Sequence, residues 1–270
     1  MNMMRLLSII AVAYLLAALP PASAQWLNYP TAGVPRLPNG NPNLSAPAPR
    51  TKDGRPDLSG IWQLEAHCPP PGCDDYPPAP EFIDLGARLK GGLPYQSWAA
   101  ELVEKRRTQF GKDDPVGSCR PAGAIRLLTF PPPRKIVQLP GLVLILSERD
   151  VTYRQIFTDG RPLPQDPDPS WNGFSTAKWE GDTLVAQTIG LRDGEWLDRK
   201  GSPLTDTAKI TERFRRVSYG SLEIELTIDD PKAYTHPWTV KLNQLIVLNT
   251  ELLEYYCLDN ERDGTHMVGK

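Results

Sequence analysis

The sequence predicts a mainly β fold, an antiparallel up-and-down barrel with one peripheral helix and a Pro-rich N-terminal arm. Three observations carry this reading. From residue 125 onward, short apolar or alternating runs of strand length succeed one another with little between them. Compact turn pairs separate many of them, at Pro140-Gly141, Arg149-Asp150, Glu180-Gly181 and Tyr219-Gly220. The segment 209–228, KITERFRRVSYGSLEIELTI, then fixes a hairpin register. With Ser218-Tyr219-Gly220 as a three-residue loop and Gly220 left-handed, Arg215 lies opposite Glu223, Arg213 opposite Glu225 and Thr211 opposite Thr227. That face is a wet ladder of opposite charges. The other face carries Ile210, Phe214, Leu222, Ile224, Leu226 and Ile228, and Glu212 interrupts it. A long meander of such hairpins closes on itself to remove its edges. A sandwich is the structural alternative.

The elements follow in order. Residues 1–24 read as a secretory signal peptide, with Arg5, an apolar run over 6–19 and the cleavage site Ala22-Ser23-Ala24. The run is too short to span a membrane. Residues 25–57 form an extended arm with turns at 35–40 and 48–56, and Trp26 and Tyr29 favour its wrapping on the domain. A single barrel domain occupies 58–270. Its first strand is 60–65, and a Pro-dense loop covers 66–80. A helix over 95–109 starts after Pro94, ends at Gly111 and carries a stripe of Trp98, Leu102 and Val103. Strands are expected at 125–130, 134–139, 142–148, 151–158, 174–180, 183–189, 209–217, 222–229, 238–247 and 252–257. Two long loops, 159–173 and 190–206, contain Trp171 and Trp196 and are expected to be ordered over a cavity. No repeat of 20 to 50 residues is visible.

Composition narrows the function. A formal net charge of -2 leaves no electrostatic footprint for nucleic acid, and nothing in the chain suggests membrane insertion or attraction. Four cysteines in an exported chain point to disulfides, expected as Cys68–Cys73 and Cys119–Cys257 among three possible pairings. The compartment is then periplasmic or secreted. His67, His236 and His266 lack ligand spacing, and no phosphate loop, serine elbow or Cys-x-x-Cys is present, so no metal or cofactor is expected. Asp166, Asp168, Asp193 and Asp198 lack the spacing of a calcium loop and read as solvated loop charges.

Several strings match a wider pattern: Asp57-Leu58-Ser59-Gly60-Ile61-Trp62, the stretch 154–162 RQIFTDGRP, the stretch 179–185 WEGDTLV, Thr211-Glu212-Arg213-Phe214 and the stretch 229–234 DDPKAY. Together they resemble a large group of exported proteins of environmental bacteria that brings no established activity. A second resemblance is to the lipocalins and other calycin-like barrels. Those start with Gly-x-Trp on the first strand, the Trp closing one barrel end against an Arg after the last strand. Gly60-Ile61-Trp62 fits the first part and Arg262 is the candidate partner. Some 60 residues and a helix before the second strand depart from that pattern.

Glu212 is the sharpest candidate residue. A carboxylate on a dry face is either paired or pushed toward its neutral form. It therefore suits a general acid or base, a ligand anchor, or a structural ion pair, and Arg154 is the expected partner. Arg161 follows the Asp159-Gly160 turn and joins the candidate ligand set if it converges with Arg154. Trp171, Trp196, Tyr234 and Trp238 are candidates for a pocket mouth, with barrel core as the plainer role. The expected function is binding of a small, largely apolar molecule with a polar or acidic group. A cofactor-independent isomerase, hydratase or lyase using Glu212 is one alternative. A structural or interaction module with a filled barrel is the other.

Overall fold

The computed structural model describes residues 29–66 and 79–257. The predicted Cys68–Cys73 pair and Arg262 lie outside them. Nine strands close a barrel, β1 (Gly60–Leu64), β2 (Arg134–Leu139), β3 (Leu142–Ser147), β4 (Tyr153–Phe157), β5 (Phe174–Glu180), β6 (Thr183–Ile189), β9 (Lys209–Ser218), β10 (Ser221–Asp229) and β11 (Trp238–Ile246). The circuit runs β1-β11-β10-β9-β6-β5-β4-β3-β2 and returns to β1. Two short strands, β7 (Glu195–Trp196) and β8 (Pro203–Leu204), pair apart from it. Helices are α1 (Pro80–Ile83), α2 (Ser97–Thr108) and α3 (Arg126–Thr129), with a 3-10 turn at Pro115–Ser118.

The barrel is mixed rather than wholly antiparallel, because β4 and β5 pair in parallel. The Pro-rich stretch 158–173 carries the chain from one end of the barrel back to the other, so it is a return crossing and not a hairpin loop. Two predicted strands are absent. Residues 125–130 contain the helical turn α3, where Leu127 serves a small cluster with Phe82, Val116, Ala122 and Phe130 while Leu128 enters the main core. A contiguous apolar run fits either state, and here a helical turn lets adjacent leucines reach two clusters. Residues 252–257 form a strap instead of a strand. β1 already fills the gap between β2 and β11, so no free edge remains for them. The strap is pinned by Lys135–Glu251 at 2.5 Å, by the Leu253 amide donating to Glu148 at 3.0 Å and by the Cys119–Cys257 disulfide. A bridge closing 138 residues of sequence contributes on the order of 4–5 kcal/mol by loop entropy.

Helix α2 turns differently from the predicted stripe. Ala99 and Val103 are buried, whereas Trp98 lies at the rim and donates its indole N–H to the Lys232 carbonyl at 2.8 Å. Alternation along the strands gives the interior. Ile136, Val143, Ile145, Ile156, Leu184, Ala186, Ile210, Phe214, Ile224, Leu226, Ile228 and Leu242 all join one buried cluster.

The hairpin register is as the sequence implies, with Arg215 opposite Glu223 and Arg213 opposite Glu225. Arg215 bonds Glu223 at 2.6 Å, while Arg213 turns to Glu180 at 3.0 Å. Two details differ. The turn is Tyr219-Gly220 with an irregularity between Ser221 and Leu222, and Gly220 is not left-handed. Glycine is needed there for space, because a Cβ would lie 2.7 Å from the Leu44 side chain. The arm crosses this turn, and the Tyr219 and Gly220 amides donate to the Ala46 and Leu44 carbonyls.

From residue 35 the arm carries a duplication shorter than any repeat of 20 to 50 residues. PRLPNGNPNLS at 35–45 and PRTKDGRPDLS at 49–59 align position for position. Each builds the same small turn. Arg36 pairs with Pro42 and Arg50 with Pro56 in isolated bridges, and each arginine donates to the turn glycine's carbonyl, Gly40 or Gly54, at 2.7 Å. Gly220→Ala is expected to cost about 1–3 kcal/mol by overpacking and to loosen the arm. Urea unfolding and faster proteolytic nicking within 35–57 are the measurements, and an unchanged cleavage rate argues against the close approach.

Candidate functional site

Three arginines point into the barrel and organise it. Arg154 of β4 meets Glu212 of β9 in a two-pronged pair, with Nη1 2.8 Å from Oε1 and Nη2 bonded to Oε2. Nη2 also donates to Thr188 Oγ1 at 2.8 Å and Ser175 Oγ at 3.2 Å, and those hydroxyls bond each other. Glu212 is 0% exposed and Arg154 3%. The pair is sealed from water by Ala186, Ile156, Leu226 and their neighbours, so the carboxylate predicted on the dry face is there and has its predicted partner.

Arg216, also on that face, closes the arm end. Glu212 is therefore not the sole interruption of the dry face: Arg216, at the hairpin tip, is a second one. Its guanidinium lies 4.9 Å from the Trp62 ring centroid and donates to the carbonyls of Asp57, Ser59, Ser218 and Tyr219. It is thus an arginine on Trp62 supplied from within the barrel; Arg262, the expected partner of Trp62, lies outside the described residues. Arg134 does the same work at the opposite end, donating to the carbonyls of Leu128, Phe130 and Pro132 and to Gln244 Oε1. Burial without an anion lowers it to about 9.

That opposite end is also capped by the aromatic candidates. Tyr234 donates to the Pro203 carbonyl at 2.8 Å and packs edge-on to Trp238 at 5.3 Å. Trp196 lies 3% exposed beneath Arg106, whose guanidinium is 4.4 Å from its ring. Trp171 carries Arg192 at 5.4 Å. Asp198, far from being a solvated loop charge, is buried and accepts from the Leu85, Gly201 and Ser202 amides and the Ser202 hydroxyl. Burial raises its pKa, opposed by the Ser202 bonds.

Glu195 sits in the same cap and was not singled out from sequence. It is 3% exposed, and its Oε1 has no hydrogen-bond partner among the described residues. A Cβ on Gly123 would strike its other oxygen, so Gly123 is the space it occupies. Burial pushes its pKa up to about 9, against a weaker lowering by Arg192.

A cleft that opens to solvent over the barrel interior lies at the arm end. It encloses about 570 Å³. Inward-facing Val143 and Trp179 form its floor, Leu139, Pro140 and Thr158 its rim, and the arm turn Thr51, Lys52, Asp53 and Arg55 its roof. Arg50 fastens that roof to the β5–β6 turn through two bonds to Asp182, at 2.9 and 2.6 Å. Thus the barrel mouth survives as a shallow cup under the arm. Arg154 and Glu212 lie in the packed interior below, and Trp171, Trp196, Tyr234 and Trp238 belong to the far cap. Arg161 stands outside the cup at the end of β4, paired with Asp159 at 2.6 Å, so it does not converge with Arg154. The cup residues were legible only in part. Alternation before Glu180-Gly181 places Trp179 inward, but the arm turn that roofs it is distant in sequence.

Neither a family model nor a curated protein matches this chain. No helix among the described residues is long and apolar enough to cross a membrane, and no group of His, Cys, Asp or Glu among them is arranged to hold a metal.

Two predictions follow from the buried carboxylates. Glu212→Gln leaves the Arg154 charge unpaired in the core and is expected to cost about 3–5 kcal/mol, lowering the thermal midpoint by roughly ten degrees. Replacing both partners by Met and Leu is expected to cost less than the single change, as measured by urea unfolding. For Glu195 the sign is set by a folded pKa raised well above the usual carboxylate range. The unfolded chain releases that proton first, so stability falls as pH rises from the unfolded value toward about 9. Glu195→Gln is expected to flatten that part of the stability-against-pH curve. Parallel curves for the two proteins argue against a neutral buried Glu195.

Proposed function

We propose that this chain is an exported binding protein for a small, largely apolar molecule carrying an acidic group, and that the molecule sits in the barrel mouth under the arm. The observation that carries the reading is the cup itself. Its volume of about 570 Å³ is that of ordinary small-molecule sites. An apolar floor of Val143 and Trp179 lies below a roof that carries Lys52 and Arg55. The interior offers no such space, since Glu212, Ile156, Leu184 and Ala186 have no exposed surface. A ligand therefore rests on the core rather than within it. An acid–base role for Glu212 finds no support in this arrangement, because a sealed, doubly bonded carboxylate has no path to substrate. Export agrees with the signal-like residues 1–24 and with the Cys119–Cys257 bridge, which suits an oxidising compartment.

The packed interior also favours a second reading, a rigid scaffold that presents its arm to another macromolecule. Native mass spectrometry of the protein from its own exporting cells separates the two. The binding reading expects a co-purified small molecule that is lost from Trp179→Ala. An empty wild-type protein that takes up nothing from a cell extract favours the scaffold.

A further inference from the structure

We infer that Arg55 is the anchor for the ligand's acidic group, and that Asp53 is a built-in competitor for it, so the cup selects monoanions such as carboxylates on an apolar body. This rests on the cup being the binding site. The argument comes from the duplicated turn. The two copies make the same backbone bonds, Asn43 to Pro35 and Asp57 to Pro49 at 2.8 Å, and Leu37 to Asn41 and Thr51 to Arg55 at 2.8 and 2.9 Å. The turn therefore needs no charge at its tip to fold. The first copy has Pro38, Asn39 and Asn41 where the second has Lys52, Asp53 and Arg55. Only the second copy roofs the cup, and only it carries the charges.

The arginines of the arm divide by task. Arg36 and Arg50, at the matching position of each copy, spend a donor on closing their turn. Arg55 donates no side-chain hydrogen bond among the described residues. Its guanidinium lies 5.5 Å from the Trp179 ring centroid, and its nearest anion is Asp53, 3.9 Å away, beyond hydrogen-bonding distance. A guanidinium held on an aromatic ring keeps its donor edge free for a carboxylate, and the planar fork fits that group in two places. Asp53 is held on its own side by the Thr51 hydroxyl at 2.5 Å, so it faces Arg55 as a loose counter-ion that a bound acid replaces. Lys52 and Arg55 against Asp53 leave one positive charge on the roof, which one carboxylate balances.

Calorimetry with 2-naphthoate and its neutral isostere 2-naphthamide tests this. Wild-type protein is expected to bind the acid about tenfold or more tightly than the amide, as charge-assisted bonds require. Arg55→Gln is expected to erase that preference, and Arg55→Lys to keep only part of it. Asp53→Asn, which copies Asn39 of the first turn, is expected to strengthen acid binding several-fold and leave the amide unchanged. Both positions are on the surface, and circular dichroism checks that each of the three variants folds. Equal binding of acid and amide by wild type overturns the inference but leaves the cup as the site. An acid preference that survives Arg55→Gln removes Arg55 as anchor, and weaker acid binding by Asp53→Asn removes the competitor. Failure of both probes to bind wild type overturns the cup reading as well.

Discussion

The barrel is organised around one buried ion pair, Arg154 with Glu212. A closed sheet of nine strands must fill its own interior, and apolar side chains do this without constraint on which atom meets which. A charged pair imposes that constraint. Both ions must be stripped of water, and the cost is offset only if every donor and lone pair finds a partner. Thr188 and Ser175 supply the remaining partners from β6 and β5. Four strands are thereby tied at one level across the barrel. A one-residue slip of β4 or β9 would turn one ion outward and leave the other bare inside, and a slip of β5 or β6 would remove a hydroxyl that the pair uses. The neighbouring apolar cluster packs against this fixed point, and the seal it makes explains why the middle of the barrel holds no cup.

The two ends solve one problem in different ways. Each must satisfy strand-end carbonyls and cover the mouth. Arg134 and Arg216 meet the first need with near-identical chemistry, a buried guanidinium donating to main-chain oxygens. Cover differs. At one end α3, β7, β8 and the aromatic residues form a dense cap that also buries Asp198 and Glu195. At the other, an arm without regular structure lies across the turn at Gly220 and is latched by the exposed Arg50–Asp182 pair. Exposed pairs of that kind contribute little, about 0–1 kcal/mol. Main-chain bonds at Tyr219 and Gly220 and the Arg216 bonds hold the rest of the arm, so the exposed pair secures only the turn that roofs the cup.

Much of the fold was legible because strand alternation and turn chemistry are local. The β5–β6 and β9–β10 hairpins follow from residues a few positions apart, and so does the placement of Glu212 on the dry face. The errors share a cause. At 125–130 an apolar run fits helix or strand, and two separate clusters decided for helix. At 252–257 a strand-like sequence met a barrel already closed. Gly220 reads locally as a left-handed turn residue, yet Leu44, far away in sequence, is why nothing larger fits. The short arm duplication was readable in the letters themselves.

By itself the sequence determined the β architecture, the register of the charged hairpin and the dry-face carboxylate, because each rests on alternation, turn residues or residue chemistry; of three possible disulfide pairings, the fold selected Cys119–Cys257. Only the tertiary structure decided that Arg154 and Glu212 neutralise each other, that Arg216 lies against Trp62, and that the aromatic candidates cap the end away from the cup. It also brought Arg55 of the arm onto Trp179 of β5. These are meetings between residues scores of positions apart. Periodicity says which face a side chain takes, but only the closure of the barrel and the path of the arm say what it finds there.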